Sequence, residues 1–135
     1  MYELPKDYDG LLNDYDFDQA EPGKVELIEP KDLKVEEIYI EGPVSGQSYY
    51  SIPAINLVKD CDDYEPDFIL CYLPNEKKYG TWDCDHWVLY CFENATWIDI
   101  KNNPVKYLNA QWSPEEDNVS VFVPDNYELI NGWPI

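Results

Sequence analysis

Cys84 and His86 come closest in type and spacing to a reactive or metal-binding pair, and His86 is the single histidine of the chain. Two residues apart on a strand, their side chains point to one face, and Cys71 on a neighbouring strand can lie across from them. Cysteine and histidine are zinc ligands, and a cysteine beside a histidine base can act as a nucleophile. Cys71, Cys84 and His86 are therefore the candidate ligands or catalytic groups.

Both chemistries lack part of their usual pattern. The chain has no Cys-x-x-Cys pair, and Cys91 falls on the opposite strand face, so at most three soft ligands converge. A nucleophile needs an oriented base within hydrogen-bond reach and an oxyanion turn rich in glycine, which the surrounding residues do not supply. The alternative is that His86 is a core histidine bonded to a carboxylate or carbonyl. We expect no cofactor, no metal and no enzymatic activity.

The segment from residue 60 to residue 67 is a dense acidic cluster around one tyrosine. An EF-hand calcium loop would need Gly and Glu where this chain has Glu65 and Cys71, so that motif is excluded. Its carboxylates can pair with the Lys and Arg of a partner while the tyrosine supplies buried area, although a solvated acidic loop explains the same residues. The partner-binding candidates in this loop are Asp60, Asp62, Asp63, Tyr64, Glu65 and Asp67.

The overall charge restricts the partner. The chain has a net charge of −19, and all 9 of its basic residues are lysines. Nucleic acids and anionic lipids are bound through Lys and Arg, so we expect neither a nucleic acid nor a membrane as partner. A basic protein is the natural partner, while solubility alone is an equally good explanation of the acidity. The start of the chain has neither a basic nor an apolar leader region, which predicts a cytoplasmic protein with reduced cysteines.

The stretch Trp82–Phe92 is interpreted as the central strand of the fold. Its alternation places Trp82, Cys84 and His86 on the core face and the acidic residues on the other face. The second face begins polar and turns apolar, which predicts an exposed end suited to partner binding. The residues of that exposed end are Asp83, Asp85 and Trp87.

Apolar runs and turn signals predict the remaining elements. A hairpin is expected from residues 25–28 and 33–40, followed by strands at 49–58, with Pro53 at a start or edge, and at 68–73, paired with the Trp82 strand. Thr96 is the predicted N-cap of a helix with Asp99 in its first turn, and Pro104 restarts or kinks that helix. Residues 119–123 form the last predicted strand.

These elements predict an α+β fold. We expect a mainly antiparallel sheet of four to six strands, one or two short helices in the C-terminal third, and an aromatic-rich core. Residues 24–135 form a single domain, and residues 1–23 form an acidic N-terminal arm or edge segment. In that arm, Asp14 and Asp16 alternate with aromatic residues, which suits either an edge strand or an extended segment that orders on a partner.

In its size, acidity and aromatic content over the whole chain, the sequence resembles the immunity proteins that bacteria encode beside polymorphic or contact-dependent toxins. The resemblance implies a stoichiometric inhibitor that blocks a basic toxin, often a nuclease, encoded nearby. Such an inhibitor imitates the negative charge of the substrate and anchors itself with aromatic side chains. The alternatives are an interaction or structural domain with another partner, and a small enzyme or zinc protein that uses Cys84 and His86.

Overall fold

The structure is a computed structural model, and it describes residues 3–10, 28–41, 48–57, 68–83, 86–102, 107, 119–122 and 129–131. These residues form one antiparallel sheet with one short α-helix. The strands are β1 (Val35–Glu41), β2 (Ser48–Asn56), β3 (Phe68–Leu73), β4 (Lys78–Asp83), β5 (Val88–Phe92), β6 (Val119–Val121) and β7 (Leu129–Asn131). The helix α1 spans Trp97–Asn102, and a single 3-10 turn spans Pro30–Asp32.

The strands follow one another across the sheet in the order β1-β2-β3-β4-β5-β6, and β7 pairs with the start of β2. The predicted α+β class with a mainly antiparallel sheet is confirmed. The number of strands in the described part of the chain is seven rather than four to six. One additional strand arises because residues 82–92, predicted as a single strand, form parts of two. The other is β7, whose three residues are too few to show the alternation of apolar and polar residues that predicts a strand.

The stretch Trp82–Phe92 is a hairpin, so its interpretation as one central strand is wrong. Trp82 pairs with Leu89, and Asp83 pairs with Val88, across a turn that joins β4 to β5. Trp82 and Leu89 therefore share one face of the sheet, although the alternation of a single strand would place them on opposite faces. The turn contains no Gly or Pro, which removed the usual sequence signal of a chain reversal.

The apolar run of β3 is buried on both faces, as expected. Leu70 and Tyr72 point to one face and Cys71 and Leu73 to the other, and all four are at most 9% exposed. Through its pairing with β4, β3 lies in the middle of the sheet order. The predicted pairing of this run with the segment that contains Trp82 is confirmed.

Gly80 of β4 shows how closely the central strands approach each other. A Cβ atom at this position would lie 2.7 Å from the backbone oxygen of Tyr90 on the next strand. Such a contact is too short for any side chain, so glycine is required here by space.

Each face of the sheet carries its own core. The outer core lies between the sheet, α1 and residues of the N-terminal segment, with Leu33, Ala95 and Tyr107 packed against it. It is rich in aromatic rings, as predicted, and the centroids of Tyr8 and Trp97 are 4.5 Å apart. Its buried members are Tyr8, Ile55, Leu57, Leu70, Tyr72, Tyr79, Phe92, Trp97 and Ile100.

The inner core lies on the opposite face, where the sheet curls. The backbone N–H of Glu41, at the end of β1, donates to the carbonyl of Trp87 at 2.5 Å, so the first strand is joined to the β4–β5 turn. This curl brings side chains of β1 against those of β5 and encloses an aliphatic cluster. Its buried members are Ile38, Ile40, Ile52, Ala54, Cys71, Leu73, Leu89 and Cys91.

The start of α1 has the predicted cap. The hydroxyl of Thr96 donates to Oδ2 of Asp99 at 2.8 Å, and the same oxygen accepts the backbone N–H of Thr96 at 3.0 Å. Asp99 returns the interaction by donating its backbone N–H to the Thr96 hydroxyl. This reciprocal arrangement is a capping box with Asp in the place usually held by Glu.

Other predicted elements are found in part. The strand predicted at 33–40 appears as β1, but its described partner is β2, and the residues 25–27 of the expected hairpin lie outside the described residues. Residues 119–121 form β6, as predicted. The expected continuation at Pro104 also lies outside the described residues, apart from Tyr107.

Candidate functional site

The turn between β4 and β5 is built on Asp83. Its carboxylate accepts the backbone N–H of His86 through Oδ1 at 3.1 Å, and Oδ2 lies 2.9 Å from Nδ1 of the His86 ring. The carbonyl of Asp83 accepts the backbone N–H of Trp87 at 2.8 Å. Asp83 is only 6% exposed, so the expectation that it belongs to an exposed end of the strand is wrong for this residue, and its predicted contact with a partner stays a prediction. Its carboxylate serves to form the turn.

His86 lies on the surface. The alternative that placed it in the core is therefore wrong about its position. Its side chain is 77% exposed, while the expected hydrogen bond to a neighbouring carboxylate is present. Because an ionised carboxylate only accepts hydrogen bonds, Nδ1 carries the proton that faces Asp83. An aspartate that orients a histidine is one part of a general-base arrangement, but a nucleophile would also be needed.

The cysteines of the described residues do not supply that nucleophile. Cys71 and Cys91 are free thiols that are 2% and 3% exposed, both in the inner core. Burial raises the pKa of the Cys91 thiol to about 12, which disfavours the reactive thiolate. The Cys71 thiol donates to the carbonyl of Gly80 at 3.6 Å. Cys84 lies outside the described residues, so its pairing with His86 stays a prediction.

The second hypothesis for Cys71, Cys84 and His86 is a zinc site. In the part of the chain that the structure describes, no three His, Cys, Asp or Glu side chains are grouped so that they could hold a metal ion. Cys71 is buried on a central strand, whereas His86 is on an exposed turn. The Cys71 thiol therefore lies in an aliphatic core, whereas the His86 ring lies in solvent.

Trp87 anchors the turn to the first two strands. Its backbone adopts a φ of 57°, a conformation unusual for an aromatic residue, and its carbonyl accepts the N–H of Glu41. Its ring meets the ring of Tyr49 edge to face, with centroids 5.1 Å apart. Trp87 is half-buried, so only part of its ring is open to a partner.

All of the other predicted partner-binding residues lie outside the described residues. This holds for the acidic segment from residue 60 to residue 67, for Asp85, and for the two aspartates of the N-terminal segment. Their roles remain predictions. They are Asp14, Asp16, Asp60, Asp62, Asp63, Tyr64, Glu65, Asp67 and Asp85.

Some of the acidity in the N-terminal segment is used within the fold. Asp7 accepts the hydroxyl of Tyr79 at 2.7 Å and the backbone N–H of Trp97 at 2.5 Å. Asp9 accepts the indole N–H of Trp97 at 2.7 Å and pairs with Lys101 at 2.5 Å. These two carboxylates attach the start of the chain to α1, which sequence reasoning did not anticipate.

The outer edge of the sheet at β1 is a second acidic feature that sequence reasoning missed. Among the described residues, β1 pairs with β2 alone, and its glutamates Glu36 and Glu37 are exposed. The Glu37 carboxylate accepts a hydrogen bond from Ser51. Two adjacent glutamates within a strand are a sequence signal for an edge strand, since charges on an edge discourage unwanted pairing.

A cavity of about 120 Å³ lies beside this edge. Its walls come from β1, β2, β3 and β4, and they are mostly apolar, with the exposed Glu36 at one side. A cavity of roughly 150 Å³ with aliphatic and aromatic walls can take up benzene, so this space suits an apolar group of slightly smaller size. The residues that line it are Glu36, Glu37, Ile38, Tyr39, Ala54, Asn56, Ile69, Cys71 and Trp82.

Three lysines of the described residues pair with carboxylates. Lys78 pairs with Glu93 at 2.8 Å, and the hydrogen bonds that Glu93 accepts from Lys78 and Ser120 lower the pKa of its carboxyl group. Lys101 pairs with Asp9, and the ammonium of Lys77 lies 3.6 Å from the carboxylate of Glu3. Such pairs offset the charge of these lysines locally.

No protein-family model matches the chain, and neither a curated protein nor a solved structure matches it significantly. The described helix is also not long and apolar enough to cross a membrane.

Proposed function

We propose that the protein binds a basic protein and neutralises it, as an immunity protein does with a toxin. The observation that carries this proposal is the net charge of −19 in a chain without arginine. Such a charge excess is costly for a folded chain, because like charges repel in the compact state. A partner with the opposite charge relieves that repulsion on binding.

The charge also favours a particular kind of partner. A nuclease toxin carries a basic surface for its phosphate substrate, and an acidic inhibitor competes for that surface. Electrostatic steering raises association rates to about 10⁸–10⁹ M⁻¹s⁻¹, against about 10⁵–10⁶ M⁻¹s⁻¹ for neutral pairs. Fast capture of this kind suits a protein that must block a toxin inside the cell that makes it.

The proposed contact residues are the acidic loop around Tyr64, together with Asp85 and the open part of Trp87. Aromatic side chains supply much of the binding energy at interfaces, and the carboxylates around them set the orientation of the partner. We do not include Asp83 among the proposed contacts, because its buried carboxylate forms the turn.

The test begins with capture of partners from an extract of the native cells, or with the product of the adjacent gene, on the immobilised full chain. Retained proteins are identified at about 0.05 M and about 0.5 M salt. The partner is then purified, and its association rate and its enzymatic activity are measured with the protein present. We expect a basic protein that binds one to one, loses its activity, and associates at least about tenfold more slowly at high salt.

Two double variants separate local from overall charge. D62N/D63N and E29Q/D32N remove the same number of negative charges, the first pair in the proposed contact loop and the second pair on exposed residues near the 3-10 turn. The first should slow association more than the second. A partner that is not basic, or a rate that does not respond to salt, would contradict the proposal.

A further inference from the structure

The direction of the backbone groups along β1 follows from one hydrogen bond. The N–H of Glu41 donates to Trp87, and so points away from β2. In an antiparallel strand the N–H and C=O of one residue point to the same side, and the side alternates from residue to residue. The backbone groups of Tyr39, Glu37 and Val35 therefore also point away from β2.

Pro53 agrees with this assignment. It lies opposite Glu37 in the pairing of β1 with β2. If Glu37 points outward, its pair with Pro53 is not a hydrogen-bonded one, and the missing N–H of proline leaves no gap in the ladder. The two observations come from different strands and give the same alternation.

The outward groups lie on an exposed edge. Val35 is 36% exposed, Glu37 is exposed, and β2 is the one strand paired with β1 in the described ranges. An edge strand with outward N–H and C=O groups can accept an extended segment of another protein, with hydrogen bonds from the main chain. The cavity beside Ile38 lies next to this edge, where it can take a side chain of the added segment.

We infer that the outer edge of β1 is the docking site for an extended basic segment of the partner. A Lys or Arg side chain of that segment lays its apolar stem in the cavity against Ile38 and Trp82, and places its charge beside Glu36. This assignment rests on the proposed function and names the site for it.

Charge complementarity selects this occupant over a second copy of the protein. Pairing of two β1 strands would bring the glutamates Glu36, Glu37 and Glu41 of each copy together, and like charges on adjacent strands are destabilising. A segment with alternating cationic side chains places all of them on one face of the added strand, where they meet Glu36 with favourable charge. The apolar walls of the cavity also match the long methylene stems of Lys and Arg.

Amide hydrogen exchange, followed by NMR on the full chain, tests the inference residue by residue. The probe is a capped peptide of alternating lysine and valine with the length of β1, which is 7 residues. At about ten times its dissociation constant, the peptide should slow exchange at Val35, Glu37 and Tyr39 about tenfold. Exchange at Ile38 and Ile40, whose N–H groups face β2, should stay slow and unchanged.

Matched peptides and variants complete the test. A peptide of alternating glutamate and valine should give no slowing. Glu37→Pro removes an outward N–H at a position where the edge tolerates proline, and should abolish the slowing, whereas Glu37→Gln keeps the N–H and should retain most of it. Ser51→Ala controls for the side-chain bond to Glu37 that the proline variant also loses.

Three outcomes would overturn the inference: outward amides as slow as inward ones in the free protein, binding of the lysine peptide without protection at β1, or no binding at millimolar peptide. Each of these leaves the proposed function open to support, since a basic partner can still be captured through the acidic loop. Conversely, protection at β1 by the peptide would support the docking site even if no basic partner were captured.

Discussion

Asp83 holds His86 by both carboxylate oxygens, one on the backbone N–H and one on the ring, while the two residues differ sharply in exposure. The buried Asp83 and the exposed His86 should therefore contribute unequally to the free energy of unfolding. Asp83→Ala removes both acceptors and should destabilise the protein by about 1–3 kcal/mol. His86→Ala keeps the backbone bond and should cost less than about 1 kcal/mol. Urea unfolding of both variants measures the difference, and equal losses would contradict this account of the turn.

Asp7 links the N-terminal segment to the helix and to the sheet at once. Asp7→Ala leaves the N–H of Trp97 and the hydroxyl of Tyr79 without their acceptor, which should lower the free energy of unfolding by about 1–3 kcal/mol. Glu3→Ala is the matched control in the same segment, because its pair with Lys77 is exposed and should contribute less than about 1 kcal/mol. Both variants remove one negative charge, so the difference in their denaturant midpoints reports the hydrogen bonds that Asp7 accepts from Trp97 and Tyr79. Equal midpoints would show that Asp7 is not a structural link.

The buried tyrosines should make the protein sensitive to alkali. Burial, with added effects of nearby carboxylates, raises the pKa of Tyr8 and that of Tyr79 well above the ordinary value near 10. Above about pH 10 the unfolded chain loses these protons while the folded chain keeps them, so stability falls with rising pH by up to about 1.4 kcal/mol per pH unit for each tyrosine. Tyrosinate absorbance should show late groups, Tyr8 and Tyr79 among them, that ionise only as near-UV circular dichroism is lost. Ionisation of all twelve tyrosines near pH 10 with the fold intact would refute the prediction.

Thiol reactivity separates buried cysteines from a reactive one. Cys71 and Cys91 should resist iodoacetamide in the native protein at pH 8, because both are buried and the pKa of the Cys91 thiol is raised to about 12. In urea all four cysteines should react, and mass spectrometry of peptides assigns each site. The pH dependence of alkylation at Cys84 also tests the remaining enzyme alternative, since a catalytic pair with His86 requires a depressed pKa. Rapid native labelling of Cys91 would contradict its place in the inner core.

Features with a local cause could be predicted from the sequence. The β3 run is apolar over its whole length because both of its faces are buried, and the Thr96–Asp99 cap involves residues three apart that carry their own signal. The turn after Asp83 could not be predicted in the same way. Its reversal depends on a carboxylate that binds the third residue ahead and on a tryptophan in a left-handed conformation, neither of which has a reliable sequence pattern.

For the candidate site, only the excess of acidic residues could be predicted from the sequence, and not the role of each carboxylate. An excess of acids indicates a basic partner but does not say which carboxylates serve the fold, since Asp7, Asp9 and Asp83 differ from the others through contacts that depend on the whole structure. Likewise the edge position of β1 depends on where the other strands pair. Its two glutamates gave a signal that becomes specific only once the strand order is known.

The link between Asp7 and Trp97 also has a consequence for biosynthesis. The two residues are 90 positions apart, so the segment around Asp7 leaves the ribosome long before the helix and has no docking site until the helix has been made. Tyr8 must stay outside the core during that interval, and the outer core closes only after the helix is available. A nascent chain arrested before residue 97 should therefore leave residues 3–10 open to protease, and one released after the helix should protect them.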